Sequence, residues 1–211
     1  MCNAPTMTDV GELEGRVAAG ARAAVAEHGW AGATLERVAR AAGVSRMTLH
    51  RHGIGREEVL ALLAAAYEAD SRLAVETAAG GPGNGSVRLR RALGAVCVVS
   101  ERHLSFLRGL DEEADTRLFH ERAGVVRSRR GYVDPVEALV RAGVEDGSLR
   151  SRRPAETATL LVNAVDRTYR HLRIAHRWSA RRARDAVLDL ILPGVEAAGV
   201  SREAERPRRR R

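Results

Sequence analysis

One short segment of the chain places polar and basic side chains at helical spacing. Arg46, Met47, His50 and Arg51 stand at positions i, i+1, i+4 and i+5, so one face of a helix would present all four. Leu49 falls on the opposite face. Guanidinium and imidazole groups donate hydrogen bonds to phosphates and to the acceptor edges of bases. This face is therefore suited to contact a nucleic acid.

The residues from Thr34 to His52 predict two short helices joined by a tight turn, which would position that face. Thr34 and Ser45 are suited to cap the first N–H groups of the two helices. Gly43 lies between them, where a left-handed backbone ends a helix and a small residue lets two helices cross closely. The first helix would pack inward through Leu35, Val38, Ala39 and Ala42. The segment predicts a helix-turn-helix, although an ordinary helical hairpin in a core would share these features.

The composition indicates the fold class. Of 211 residues, 45% are hydrophobic and only 3% aromatic, and no run of β-branched residues alternates with polar ones. We therefore predict an all-α protein. Cys2 and Cys97 lie far apart without metal-ligand spacing, so we expect no disulfide, no metal site and no cofactor. Without a signal peptide or a membrane-spanning segment, the expected location is the cytoplasm, with no membrane partner.

Positive charge is concentrated in three parts of the chain, which has a net charge of +8. Residues 34–56 contain five Arg and one Glu, a local charge of +4. Residues 150–184 contain ten Arg and two acidic residues (+8), and residues 201–211 contain six Arg and two Glu (+4). An anionic partner is expected, and the first cluster is the most informative because it coincides with the helix-turn-helix.

The helical periodicity predicts about nine helices in two domains followed by a tail. Residues 1–55, ordered from about residue 11, form a three-helix domain, and residues 56–200 form a larger helical domain. Residues 201–211 form a basic, disordered tail. One continuous helix is expected from about Val87 to Leu107. The last two helices are apolar on two faces, so a second copy of the chain is the simplest partner for the outer face.

Ser100 and His103 interrupt the apolar stripe of the expected helix from Val87 to Leu107. They are either hydrogen-bonded core residues or part of a pocket for a small ligand. The candidate ligand-binding residues are Cys97, Ser100, His103, Leu104, Leu107, Phe119, Arg167 and Tyr169. The basic segment 150–184 adds the hypothesis that the ligand is an anion bound by Arg167 or Arg170.

The segment from Leu13 to Leu63 resembles the tetracycline-repressor (TetR) family of transcriptional regulators. The residues that carry the resemblance are Thr34, Val38-Ala39, Ala41-Ala42-Gly43-Val44-Ser45, Thr48-Leu49-His50-Arg51-His52 and Arg56-Glu57-Glu58. The later helices are similar to the family's ligand-binding and dimerisation domain in organisation only. The resemblance implies a homodimer, with a four-helix interface, that binds a palindromic operator in double-stranded DNA. It also implies a small-molecule effector that moves the fourth helix and releases the repressor.

The resemblance assigns DNA-binding roles residue by residue. Thr34 caps the first helix of the motif, and Arg56 contacts a phosphate from the start of the fourth helix. Met47 is expected to meet a thymine methyl group. The predicted recognition helix carries Ser45, Arg46, Met47, Thr48, His50 and Arg51.

Two residues depart from the family pattern. The family usually has Tyr at the position of His50, which can still donate to a phosphate, with some pH dependence. At Gly53 the family has an aromatic residue. We expect that Gly53 removes a core side chain, that Ile54 fills the gap, and that operator affinity or motif stability is lowered.

Two functions are alternatives to a regulator: catalysis and architectural DNA binding. An enzyme is not expected, because His171 and His176 lack i, i+4 spacing and no glycine-rich phosphate loop follows a strand. A regulator would also release its ligand unchanged. An architectural DNA-binding protein that uses Arg208–Arg211 would bind without sequence preference and would lose affinity steeply with salt.

Overall fold

The structure, a computed structural model, describes residues 7–109 and 133–197, with side chains from residue 11. Within these ranges the chain forms nine α-helices, a short 3₁₀ helix at Leu192–Gly194 and no strand. The predicted all-α fold is confirmed. The helices are α1 (Met7–Gly32), α2 (Leu35–Ala41), α3 (Arg46–Arg51), α4 (Arg56–Ala79), α5 (Gly85–Arg102), α6 (Leu104–Arg108), α7 (Asp134–Glu145), α8 (Pro154–Ile174) and α9 (Ala180–Ile191).

Two boundaries differ from the sequence prediction. The apolar spacing predicts a first helix from about Glu12 to His28 that ends at Gly29. In the structure α1 starts at Met7, and Gly29 is a kink with φ 68° and ψ 170° after which one more turn follows. The single helix expected from Val87 to Leu107 is wrong, because the chain leaves helical geometry at His103 and forms α5 and α6. Phe106 and Leu107 continue the buried stripe beyond this break, so periodicity alone does not reveal it.

The first compact unit comprises residues 7–69 and 102–109 of the described chain. In this unit α1 packs against both α2 and α6. A Cβ added at Gly20 would lie 2.5 Å from the backbone nitrogen of Ala42, so α1 approaches the turn of the predicted motif very closely. The apolar core of this unit includes Val17, Ala21, Val25, Val38, Leu49, Val59, Leu63, Tyr67 and Phe106.

The second compact unit comprises residues 70–101 and 133–197. Helix α8 packs against α7 and α9, and the core includes the buried faces of α5, α7, α8 and α9. The N-terminus of α5 is capped from the turn after α7: Gly85 donates its N–H to Asp146 Oδ2 (2.7 Å), and Ser86 donates its N–H to Ser148 Oγ (3.0 Å). These bonds satisfy backbone donors that a helix start leaves open.

Helices α4 and α5 each contribute residues to both units, because the unit boundaries fall at Ala69 and Glu101. The first unit thus includes the start of α4, and the predicted domain boundary at residue 55 stays a prediction. None of the helices in the described ranges is long and apolar enough to span a membrane.

Candidate nucleic-acid interface

The first helix of the predicted motif begins and ends as its sequence indicates. Thr34 Oγ1 accepts the N–H of Arg37 at 3.4 Å, which confirms Thr34 as the cap of α2. Gly43 has φ 65°, the left-handed conformation expected there. Val44 then donates its N–H to the carbonyl of Ala39 at 2.9 Å. The turn between the two helices is thus closed by its own backbone.

Helix α3 is fixed at its start by two hydroxyl groups. Ser45 Oγ accepts the N–H of Thr48 at 3.0 Å and lies 2.9 Å from Thr48 Oγ1. Leu49 is buried, as predicted. Since the Ser45 and Thr48 hydroxyls already bond to each other, the structure gives them a role in shaping α3. Their contact with DNA stays a prediction.

The outer face of α3 presents the four side chains identified from their spacing. Arg46, Met47, His50 and Arg51 are all exposed, and 70% of the Met47 surface is open to solvent. Within the part of the chain that the structure describes, no carboxylate pairs with Arg46 or Arg51. The face therefore keeps two uncompensated guanidinium groups beside one apolar side chain, which is a suitable set for phosphates and base edges.

Sequence reasoning missed Arg16, which holds the turn from α1. Its Nη2 donates to the carbonyl oxygens of Gly43 (2.7 Å) and Ala42 (3.1 Å). Gly20, one helical turn later, is the residue whose missing Cβ lets α1 approach Ala42. The sequence feature that indicates this role is the i, i+4 spacing of Arg16 and Gly20, because it places a hydrogen-bond donor and a residue without a side chain on the same face of α1.

Arg56, expected to contact a phosphate, also has partners within the protein. Its Nη2 donates to the carbonyl of Trp30 (2.9 Å), Nη1 lies 3.5 Å from the carbonyl of Ala33, and the guanidinium lies 4.1 Å above the Trp30 ring. Such a cation–π contact adds to the attraction between the start of α4 and the end of α1. The phosphate contact of Arg56 stays a prediction beside this structural role.

Gly53 does not leave the gap in the core that the sequence suggested. It has φ 66°, and a Cβ added there would meet no atom within 4 Å. Ile54, the next residue, is buried and donates its N–H to the carbonyl of Leu49 at 2.9 Å. Ile54 thus fills the core as predicted. The expected loss of core packing at Gly53 is wrong, because its missing side chain points into open space and the glycine serves to end α3.

Two of the candidate ligand-binding residues in the second unit, Ser100 and Tyr169, have polar partners within the protein. Ser100 Oγ donates to Asp166 Oδ1 at 2.6 Å, and both residues are buried. This confirms the alternative that Ser100 is a hydrogen-bonded core residue. Tyr169 donates its hydroxyl to Glu101 Oε2 at 2.8 Å. Burial raises the pKa of the Cys97 thiol to about 12, so this group stays protonated at neutral pH.

The two arginines proposed for an anion differ in their surroundings. Arg170 Nε lies 3.1 Å from Asp166 Oδ2, so this carboxylate already balances its charge. That pairing argues against Arg170 as the partner of an anionic ligand. Arg167 is exposed, and its ligand role stays a prediction.

Three further ligand candidates belong to the first unit, and one cannot be placed. His103 is buried, with its ring centroid 5.4 Å from that of Tyr67. Leu107 is also buried, whereas Leu104 is half-buried. Phe119 lies outside the described residues. The structure therefore divides the candidate ligand set between two units.

His171 and His176 are closer than their sequence spacing indicated. Their ring centroids lie 5.1 Å apart, because the chain turns after α8 and brings His176 back beside the helix. Among the described residues, however, no group of three or more His, Cys, Asp or Glu side chains could hold a metal ion.

Comparisons with known proteins agree with this geometry. Residues 18–63 match the family model for bacterial regulatory proteins of the tetR family, and residues 82–195 match the model for the tetracyclin repressor-like C-terminal domain. No curated protein matches the chain significantly.

Solved structures of similar fold include three regulators. The TetR family transcriptional regulator PfmR from Thermus thermophilus is 22% identical, with 84% of this chain and 97% of that chain covered and a TM-score of 0.60. A TetR/AcrR family regulator from Thermobifida fusca is 21% identical, with coverages of 86% and 97% and a TM-score of 0.65. A ketosteroid transcriptional regulator of Mycobacterium tuberculosis is 19% identical, with coverages of 87% and 94% and a TM-score of 0.62. With its N-terminal DNA-binding motif and a C-terminal family model that matches more than half of its length, the chain belongs to the TetR family of transcriptional regulators.

Proposed function

We propose that the protein is a homodimeric repressor that binds a palindromic operator and leaves it when a small-molecule effector binds. The observation that carries the proposal is the outer face of α3, where Arg46, Met47, His50 and Arg51 are exposed on a helix capped by Ser45. A helix of this kind fits the major groove, and its guanidinium groups supply both base and phosphate contacts. The protein would act without catalysis, in the cytoplasm.

An exposed apolar surface on α8 and α9 supports dimerisation. Leu160 on α8 is 70% exposed and Leu190 on α9 is 81% exposed. Ala164 and Ala186 lie one helical turn from these leucines and are also exposed. Leucines this open to water on two packed helices favour burial against a second copy. Two recognition helices in one dimer would then match half-sites roughly 34 Å apart.

The effector site belongs to the second unit under this proposal. The half-buried Glu101, whose carboxylate accepts the Tyr169 hydroxyl at 2.8 Å, is the polar group that we expect to face a ligand entering between α5 and α8, whereas Ser100 and Asp166 stay hydrogen-bonded to each other in the core. The exposed Arg167 supports an anionic effector, and we would abandon that part if Arg167→Ala left effector affinity unchanged. To switch the protein, the effector must bind the released state more tightly than the operator-bound state.

The first experiment is the selection of bound sequences from random duplex DNA, followed by titration of the selected duplex at two salt concentrations. A palindromic sequence bound at least about a thousandfold more tightly than random DNA would support the dimeric repressor. Binding without sequence preference would favour the architectural alternative. No binding at all would contradict operator recognition by the free protein and would require the titration to be repeated with candidate effectors as co-repressors.

A further inference from the structure

His171 and His176 form a close pair of imidazole rings where α8 ends. Their ring centroids lie 5.1 Å apart, and their planes are inclined by 72°. Both side chains are exposed, and neither forms a hydrogen bond or an ion pair with any residue that the structure describes. The ring nitrogens are therefore available to a ligand from solvent.

The separation of the two rings matches that of imidazoles bound to one metal ion. A metal lies about 2.1 Å from a coordinating imidazole nitrogen, and hence roughly 3.2 Å from the centre of the ring. Two rings on neighbouring positions of an octahedral or a tetrahedral ion therefore have centres about 4.5–5.2 Å apart. The observed 5.1 Å falls within this range. Because both side chains are exposed, each ring can turn a nitrogen toward a shared ion.

The backbone on both sides of His176 is held by hydrogen bonds. Ala175 donates its N–H to the carbonyl of His171 at 2.8 Å, and Trp178 donates its N–H to the carbonyl of Leu172 at 3.1 Å. A metal that binds the two rings would therefore not have to order the chain between them. This arrangement lowers the entropic cost of binding.

Positive charge near the pair limits how tightly a cation can bind. Arg177 follows His176 directly and is exposed, whereas Arg173 is balanced by Glu101, with Nη2 and Oε1 2.5 Å apart. In the described ranges, no third His, Cys, Asp or Glu joins the pair to form a larger metal-binding group. Water would have to complete the coordination shell, so we expect an affinity in the micromolar range.

We propose that His171 and His176 together bind one divalent late transition metal ion. Neutral imidazole suits Zn²⁺, Ni²⁺ and Cu²⁺, whereas Mg²⁺ and Ca²⁺ prefer oxygen ligands. The i, i+5 spacing hides this pair in the sequence, because residues five apart point in different directions on a continuous helix. Helix α8 ends at Ile174, and the turn after it brings His176 back beside His171.

The test uses Trp178 as a local reporter of the bound metal. Its ring centroid lies 6.3 Å from that of His176, and in a Trp30→Phe background it is the only tryptophan. The full chain, without an affinity tag and in buffer free of chelators, is titrated with Ni²⁺, which quenches indole emission at short range. We expect saturable quenching of Trp178 with one ion per chain, which EDTA reverses. An excess of Zn²⁺ should displace Ni²⁺ and restore the emission, whereas Mg²⁺ should not.

Single histidine substitutions in the same background locate the ion. His171→Ala and His176→Ala should each weaken Ni²⁺ binding by at least about tenfold, because the second bond to the metal is no longer formed within one chelate. His28→Ala is the matched control, because it removes an exposed histidine from α1, and it should leave the quenching unchanged. Circular dichroism shows whether each variant is folded.

The possible outcomes separate this site from the proposed operator binding. Quenching that persists in both His171→Ala and His176→Ala would overturn the site, and so would quenching that is weakened equally in His28→Ala. An absence of quenching at millimolar Ni²⁺ would also overturn it. None of these measurements uses DNA, so their results do not depend on whether the protein selects an operator.

Discussion

Met47 is the residue whose contribution to specificity is most directly testable. It is the only large apolar side chain on the exposed face of α3, flanked by Arg46 and Arg51. An apolar group in the major groove is suited to the 5-methyl group of thymine. Burial of one methyl-sized group contributes about 0.8 kcal/mol, or about fourfold in affinity.

We therefore expect that replacing one operator thymine by deoxyuridine weakens binding of the wild type by about fourfold. Met47→Ala should bind more weakly and should no longer distinguish the two bases at that position. The measurement is a titration of each protein with matched duplexes substituted at one thymine at a time. Equal sensitivity of wild type and Met47→Ala at every position would refute the assignment.

Gly53 illustrates a residue that is required for its backbone rather than for packing. Its φ of 66° is unfavourable for a side chain, yet a Cβ there meets open space. Gly53→Ala should destabilise the first unit by about 1 kcal/mol, because the left-handed strain is partly offset by a less flexible unfolded chain. Gly11→Ala, in the helical backbone of α1 and equally free of contacts, should be neutral or slightly stabilising.

Thermal unfolding of both variants, followed by circular dichroism, measures this difference. A loss of several kcal/mol in Gly53→Ala would instead indicate that the position is packed, and would restore the expectation of a missing core side chain.

At the scale of helices, α5 is joined to α8 by an ion pair that depends on pH. Arg173 Nε donates to Glu101 Oε2 at 2.7 Å, and the Tyr169 hydroxyl donates to the same oxygen at 2.8 Å. The hydrogen bond from Arg173, followed by that from Tyr169, lowers the pKa of Glu101 below its ordinary value of 4.5, although burial opposes the shift. The carboxylate therefore stabilises the fold above pH 4.5 and loses this contribution as the pH falls further.

Glu101→Gln should cost no more than about 1–2 kcal/mol at neutral pH, because solvent screens this partly exposed pair. The variant should also lose less stability than the wild type between neutral and acidic pH. Urea unfolding of the wild type and of Glu101→Gln at pH 7 and below pH 4.5 measures how much free energy of unfolding each protein loses between the two pH values. Arg141→Gln, which breaks an i, i+4 pair with Glu137 within α7, is a control expected to have a smaller effect. If the difference in free energy of unfolding between the wild type and Glu101→Gln were the same at both pH values, the lowered pKa of Glu101 would not contribute to stability.

The helix-turn-helix was predictable because its contacts are local in sequence. Thr34, Gly43 and Ser45 act on backbone groups within five residues of themselves, so their spacing alone indicated both caps and the turn. Helix α8 similarly begins at Pro154, because proline suits the first position of a helix.

Features that depend on distant parts of the chain were not predictable in this way. The break at His103 adjoins a contact with Tyr67, which is 36 positions earlier. The apolar spacing in α4 predicts that Leu73 faces inward, but its side chain is 65% exposed, because nothing in its own helix indicates which neighbours will cover it. Two other contacts likewise join residues far apart in sequence: the hydrogen bond from Arg16 to the Gly43 carbonyl and the close approach of Gly109 to Trp30. Periodicity gives the face of a helix but not its neighbours.

For the whole molecule, the proposed operator recognition depends on the proposed dimer. Leu190 is 81% exposed on α9 and Leu73 is 65% exposed on α4, so these two leucines have similar exposure on different helices. Only Leu190 belongs to the surface that we assign to the second copy. A leucine that becomes fully buried in an interface contributes about 1.5–3 kcal/mol, and the symmetric interface contains it twice.

Leu190→Glu should therefore shift the protein from dimer to monomer at micromolar concentration, since each interface would then bury two carboxylates without partners. Leu73→Glu, the matched control, should leave the mass unchanged. Sedimentation equilibrium gives the mass, and the helical signal shows whether each variant is folded. A monomer presents only one recognition helix. Leu190→Glu should therefore lose most of its preference for the palindrome over a single half-site, but it should still bind the half-site. If Leu190→Glu stayed dimeric, or if Leu73→Glu became monomeric, the dimer interface would lie on a different surface. The exposed leucines of α8 and α9 would then have no role in operator recognition.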